Sequence, residues 1–134
     1  MFENMPAEMS VSKDEAYRIA SACPPGGTVL EIGCHLGNGT ERIINALPNG
    51  SRVIGIDNDP ERVASASRRG LDADFIVADS RTFVPNFKPD VILVDGGLST
   101  RSSDVRRFKK MFPEATVFLH DALGAGRGQR MVRV

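Results

Sequence analysis

Three shortages in this sequence each close off a class of protein. It has two cysteines, Cys23 and Cys34, too few and too irregularly placed for a disulfide framework or a zinc site. It has no apolar run longer than a single strand, so no segment reads as a membrane span. It has no excess of either charge, with Lys plus Arg and Asp plus Glu at 17 each. The chain as a whole therefore lacks the positive footprint that non-specific phosphate binding draws on, and nucleic acid is not an expected partner. Arg106, Arg107, Lys109 and Lys110, with Arg127, Arg130 and Arg133 further on, read as solvated surface. No charged-then-apolar leader opens the chain, and a reducing, cytoplasmic setting is the expectation. Its 134 residues suit one domain with one core.

What is present is a regular alternation. Residues 1–11 show no clear period and read as a tail or lid, and residues 12–134 read as the domain. Ser12 and Glu15 have capping-box spacing, and Ala16, Ile19, Ala20 and Cys23 follow at helical intervals before Pro24 to Gly27 stop the helix. Five short apolar segments follow: Thr28 to Ile32, Arg52 to Ile56, Ala73 to Val77, Asp90 to Val94 and Thr116 to Leu119. Rich in Val and Ile and bounded by Gly, Pro and Asp, they read as buried parallel strands. Helix-compatible stretches lie between them at Thr40 to Leu47, Pro60 to Arg69 and Ser102 to Phe112, and a single helical turn is expected around Ser80 to Phe83. This predicts an α/β, Rossmann-like, doubly wound parallel sheet of order 3-2-1-4-5, with ligands at the carboxyl ends of the strands. The stretch from Gln129 to Val134 has room for one short C-terminal edge strand.

All five strand ends on one rim deliver polar groups. The first runs Glu31-Ile32-Gly33-Cys34-His35-Leu36-Gly37-Asn38-Gly39-Thr40, the second ends in Asp57-Asn58, the third is followed by Asp79-Ser80, the fourth ends in Asp95-Gly96-Gly97 and the fifth in His120-Asp121. Gly33, Gly37 and Gly39 allow a sharp strand-to-helix turn and a close ligand approach. Their spacing is not that of a dinucleotide fingerprint, and Glu31 would not welcome a pyrophosphate.

From these residues, Val29 to Thr40 resembles motif I of the class I S-adenosylmethionine-dependent methyltransferases, and Val53 to Asp57 with Asn58-Asp59-Pro60 resembles the motif that follows. The ends of strands four and five are similar to those of the small-molecule branch and its cephalosporin-hydroxylase-like relatives, in a short form lacking the last strands. The resemblance implies S-adenosylmethionine as cofactor and methyl transfer to the oxygen or nitrogen of a small-molecule acceptor. It implies cofactor binding at Glu31, Gly33, His35, Gly37, Gly39, Asp57, Asn58, Asp79 and Ser80, with Asp57 receiving the ribose hydroxyls and Asp79 the adenine amino group.

Asp95, His120 and Asp121 are the candidate catalytic residues. The catechol-type relatives hold magnesium near these positions, which makes Asp95 and Asp121 candidate Mg²⁺ ligands, although His120 departs from that pattern. A cofactor-binding module without catalysis and an NAD-dependent oxidoreductase stay open as alternatives. A homodimer is expected, because a sheet that stops early leaves an edge uncovered.

Overall fold

The computed structural model describes residues 10–48, 50–120 and 130–134. Its elements run α1 (Lys13–Ala22), β1 (Thr28–Ile32), α2 (Asn38–Ala46), β2 (Arg52–Asp57), α3 (Pro60–Ser67), β3 (Asp74–Val77), β4 (Val91–Val94), α4 (Arg101–Met111), β5 (Thr116–His120) and β6 (Met131–Arg133). They form one sheet of order β3-β2-β1-β4-β5-β6. The first five strands are parallel, and β6 pairs antiparallel with β5. The expected strand order and the extra edge strand are both found.

Local chemistry sets the boundaries. Ser12 accepts a hydrogen bond from the Glu15 amide at 3.1 Å while Glu15 accepts one from the Ser12 amide at 2.9 Å, so α1 opens on a complete capping box. Asp59 caps α3, and Pro60 occupies the first turn, where its missing N–H is no loss. Helix α2 starts at Asn38, two residues earlier than its apolar pattern suggests, because Gly37 caps it in the left-handed region at φ 89°. Between β3 and β4 there is only the turn after Asp79, whose carbonyl accepts from the amides of Thr82 and Phe83. Val11 is fully buried, so the packed body begins at least one residue before Ser12. Residues 1–9, the greater part of the expected tail or lid, lie outside the described residues.

Alternation along the strands divides the core and positions the site. Val29 of β1, Val53 of β2, Val91 and Leu93 of β4 and Phe118 of β5 face one layer, with Ala16 and Ile19 of α1 and Ile43 of α2. Leu30 and Ile32, Ile54 and Ile56, Ile92 and Val94, and Val117 face the other, with Phe108 of α4. The same parity places Glu31, Asp57, Asp95 and His120 on the α1 and α2 side of the sheet. There the four buried polar groups, each 5% exposed or less, sit beneath the glycine turn.

Candidate functional site

The turn after β1 is held by the strand beside it, since the amides of Gly33 and Cys34 both donate to the Ile56 carbonyl, at 2.8 and 3.0 Å. Gly33 has φ 87°, and a Cβ there would collide with the Asp95 carbonyl. Both the backbone conformation and the nearness of β4 therefore require glycine. His35 is the one non-glycine residue with positive φ, at 51°, among the described residues. Its amide donates to Asp57 Oδ2 at 3.1 Å, and its ring Nε2 lies 3.0 Å from the Asp95 carbonyl, which can accept from it. A strained histidine held by two strand ends is a built feature of the turn.

A cleft of about 260 Å³ opens over these strand ends. Gly33 and His35 line it from the β1 turn, Asp57, Asn58 and Arg62 from the end of β2 and α3, Asp79, Ser80 and Arg81 from the end of β3, and Gly96, Gly97, Ser99 and Thr100 from the end of β4. Six of the nine expected cofactor contacts thus meet in one cavity: Gly33, His35, Asp57, Asn58, Asp79 and Ser80. Asp57 is held rigidly there, its Oδ1 accepting from the Asp59 amide at 3.0 Å and its Oδ2 from His35. A fixed carboxylate with lone pairs to spare suits a ligand with two adjacent hydroxyls.

Glu31, Gly37 and Gly39 do not line this cleft. Glu31 accepts the Thr40 hydroxyl, and a Cβ on Gly39 would come within 3.3 Å of its Oε2. Glu31 therefore fastens the start of α2 to β1. Its complete burial, with Asp95 and Asp57 nearby, pushes the carboxyl up to about 8 despite the Thr40 hydrogen bond. Buried behind the turn, Glu31 does not meet a ligand in the cleft, whose carboxylates are those of Asp57 and Asp79.

Asp79 is met by Arg81, whose Nη2 donates to Oδ2 at 2.7 Å and whose Nε donates to Oδ1 at 3.0 Å. These hydrogen bonds, with one from the Arg81 amide, hold the Asp79 carboxyl down at about 2. Sequence spacing gave no sign of this local pair or of the partner taken by Ser80, whose hydroxyl donates to Asp104 Oδ1 at 2.7 Å. Asp104 sits four residues before Phe108, on the buried face of α4. An acid on that face was the available signal.

His120 and Asp95 are brought together, but away from the cleft lining. His120 is fully buried, with Nδ1 3.1 Å from Asp95 Oδ1 and Nε2 3.2 Å from Glu15 Oε1. Burial alone would lower its pKa, but the hydrogen bond and charge of Asp95, joined by those of Glu15, outweigh that and raise it. Arg101 approaches Asp95 from α4 at 3.9 Å. Asp121 lies outside the described residues. Among the described residues no group of three or more His, Cys, Asp or Glu side chains could hold a metal ion. Asp95 is committed to His120, so the described donors do not fit a magnesium site, and no step is derived through one.

A family model described as a methyltransferase domain matches residues 30–122. Curated relatives include the trans-aconitate 2-methyltransferases of Acidovorax sp., 33% identical over 70 residues, and of Variovorax paradoxus, 36% identical over 76 residues. These matches cover 52% and 56% of this chain but only 27% and 29% of the relatives. The chain spans well under half the length of the curated relatives it matches. Among solved structures, the plantazolicin methyltransferase BpumL in complex with a monoazolic desmethylPZN analog and SAH superposes with a TM-score of 0.69 at 21% identity, over 88% of this chain and 49% of that one. A TehB-like SAM-dependent methyltransferase of Corynebacterium glutamicum superposes at 0.63 with 22% identity, over 85% and 64%. At these identities the likeness is one of fold.

Proposed function

This chain belongs to the methyltransferase-domain family, and from that premise we propose that its cleft binds S-adenosylmethionine and that the protein transfers the methyl group to the oxygen or nitrogen of a small-molecule acceptor. The observation that carries this reading is the convergence of Gly33, Asp57, Ser80 and Gly96 from four consecutive strand ends on one cavity. In the proposed arrangement Asp57 accepts the ribose hydroxyls, the end of β3 receives the base, and the bare backbone at Gly33 and Gly96 leaves room for the amino-acid end of the ligand. The cofactor supplies an electrophilic methyl on a sulfonium. The acceptor's lone pair forms the new bond as the carbon–sulfur bond breaks, and the acceptor's proton leaves to water or a nearby base. Alignment of the two partners provides most of the acceleration, and no covalent protein intermediate is needed.

For the acceptor side we assign Asp95 as the carboxylate at the end of β4, held in place by His120. Asp121, the third expected residue, lies beyond the described part. A second reading, a cofactor-binding module without its own transfer chemistry, draws support from one observation: His120 is fully buried with both ring nitrogens facing carboxylates. We also propose a homodimer formed along a sheet edge and a reducing, cytoplasmic setting. The latter is in keeping with two free, buried thiols. Among the described residues no helix is long and apolar enough to cross a membrane.

Calorimetry with S-adenosylmethionine, S-adenosylhomocysteine and NAD side by side tests the cleft. The two sulfur ligands should bind and NAD should not, and the reverse order would replace this reading with an oxidoreductase. A radiolabelled acceptor screen then separates enzyme from module.

A further inference from the structure

Arg69 stands just past the end of α3 and closes on the glycine turn from outside the cleft. Its Nη1 donates to the Leu36 carbonyl at 3.2 Å and to Asn38 Oδ1 at 3.0 Å, and its Nη2 donates to Glu41 Oε1 at 2.9 Å. One guanidinium therefore grips the chain on both sides of Gly37, the left-handed residue that opens α2. Two further facts set this contact apart from an ordinary surface ion pair. Gly37 offers α2 no capping side chain, so the usual device that fixes a chain's entry into a helix is missing here. A cation beside a helix N-terminus also faces the positive end of the helix dipole, which on its own disfavours the helix. The inner side of the same turn is held by β2, through the Ile56 carbonyl and the Asp57 carboxylate, and Arg69 holds the outer side.

We propose that Arg69 is a positioning residue that keeps the glycine turn in its ligand-binding shape before a ligand arrives, so that Gly33 and His35 need no reordering when the cleft fills. The proposal rests on the cofactor reading of the cleft given above and adds to it a residue that never touches the ligand. An ordered turn spares the ligand the entropy of ordering it, so loss of the grip shows as weaker binding. Global stability depends little on an ion pair whose side chains are 28% and 48% exposed.

Hydrogen exchange and calorimetry on a small set of variants test this. Arg69→Met keeps an aliphatic stem and removes every donor. In the ligand-free protein the Gly37 and Glu41 amides, which donate to the Cys34 and Gly37 carbonyls, should exchange about tenfold faster in this variant, while the β1 amides keep the wild-type rate. S-Adenosylhomocysteine should bind it about tenfold more weakly, at a melting temperature close to that of the wild type. Asn38→Ala, which removes one acceptor of the grip, should lose less affinity, and it carries the test if Arg69→Met does not fold. Glu41→Ala removes the ion pair but leaves the contacts on either side of Gly37, and should keep nearly all the wild-type affinity. Wild-type affinity in folded Arg69→Met or, failing that protein, in Asn38→Ala overturns the proposal, as does an equal loss in Glu41→Ala. A wild-type protein that does not bind S-adenosylhomocysteine overturns the cofactor reading instead, and unchanged turn exchange in Arg69→Met overturns the grip whether or not that ligand binds.

Discussion

The His120 ring stands 3.1 Å from Asp95 across the ends of β4 and β5, and its other nitrogen reaches Glu15, a residue 105 positions away in sequence. Arg130 Nη2 also lies 3.3 Å from the Glu15-facing nitrogen, but the carboxylates on the two sides of the ring raise its pKa and favour the protonated form. A raised folded-state pKa contributes stability that is fully present below the ordinary histidine range and is lost as pH rises through the folded value. Replacing His120 by Ala should cost about 3–5 kcal/mol, the range for breaking a buried ion pair and leaving its partners uncompensated. Chemical denaturation of both proteins from pH 5 to 9 checks this. The gap should be widest on the acid side, and a gap that grows with pH would contradict the assignment.

Glu31 gives a second pH dependence of the same sign. Its carboxyl is held up at about 8, so between its ordinary value near 4.5 and that point the folded state carries a proton the unfolded chain has released. Stability falls across this window as pH rises. Glu31→Gln should flatten the slope between about pH 5 and 8, with little effect at the acid end. A slope as steep as in the wild-type protein would mean that Glu31 is ionised in the fold.

Asp57→Ala should weaken S-adenosylhomocysteine binding by about 1.5–3 kcal/mol, the range for hydrogen bonds to a charged group. It should also destabilise the protein, because the amides of His35 and Asp59 lose their acceptor. Asp57→Asn, which keeps one acceptor oxygen, should recover part of the stability while still binding weakly. Calorimetry paired with denaturation separates the two effects, and unchanged affinity in either variant would remove Asp57 from the ribose contact.

The two left-handed glycines of the turn should differ sharply. Gly33→Ala forces a methyl group into the Asp95 backbone and should cost roughly 2–4 kcal/mol, from strain together with overpacking. Gly37→Ala meets first the flexible end of Arg69, at 3.3 Å, and should cost about 1 kcal/mol from its backbone conformation alone. Equal melting temperatures for the two variants would contradict this ranking.

Much of the architecture was legible because it depends on near neighbours. The capping box at Ser12 and Glu15, the Pro60 start of α3 and the five apolar runs are local signals, and alternation with helices fixes the order of a parallel sheet. Gly33, Asp57 and Ser80 could be placed at the cleft because each lies at or just after the carboxyl end of a strand. Other features needed the fold in hand. Ser80 meets Asp104 across 24 positions and Glu15 meets His120 across 105, and no period connects residues so far apart. Arg81 on Asp79 is local, but it depends on a rotamer that spacing does not specify. Glu31 was expected among the cofactor contacts, yet it lies within β1 and away from the cleft lining, at a depth of burial that only packing reveals.

Association should run along β3, the edge strand that carries Ile76 and Val77 at 36% and 50% exposure. Sedimentation at micromolar concentration should give a dimer that Val77→Lys converts to monomer. A wild-type monomer throughout that range would count against the expected homodimer.

The capping box of α1 is complete within a few residues, but the helix is also held by groups from the far end of the described chain. Arg18 donates to the Met131 carbonyl across 113 positions, and Arg130 donates to the Ser10 carbonyl across 120. During synthesis, α1 must therefore wait for β5 and β6 before its final contacts can form. Contacts of such long sequence separation delay the rate-limiting step of folding. In the interval the layer that covers Ala16 and Ile19 lacks Phe118 of β5 and Met131 of β6, and the partly covered apolar face of α1 is the kind of surface a chaperone binds.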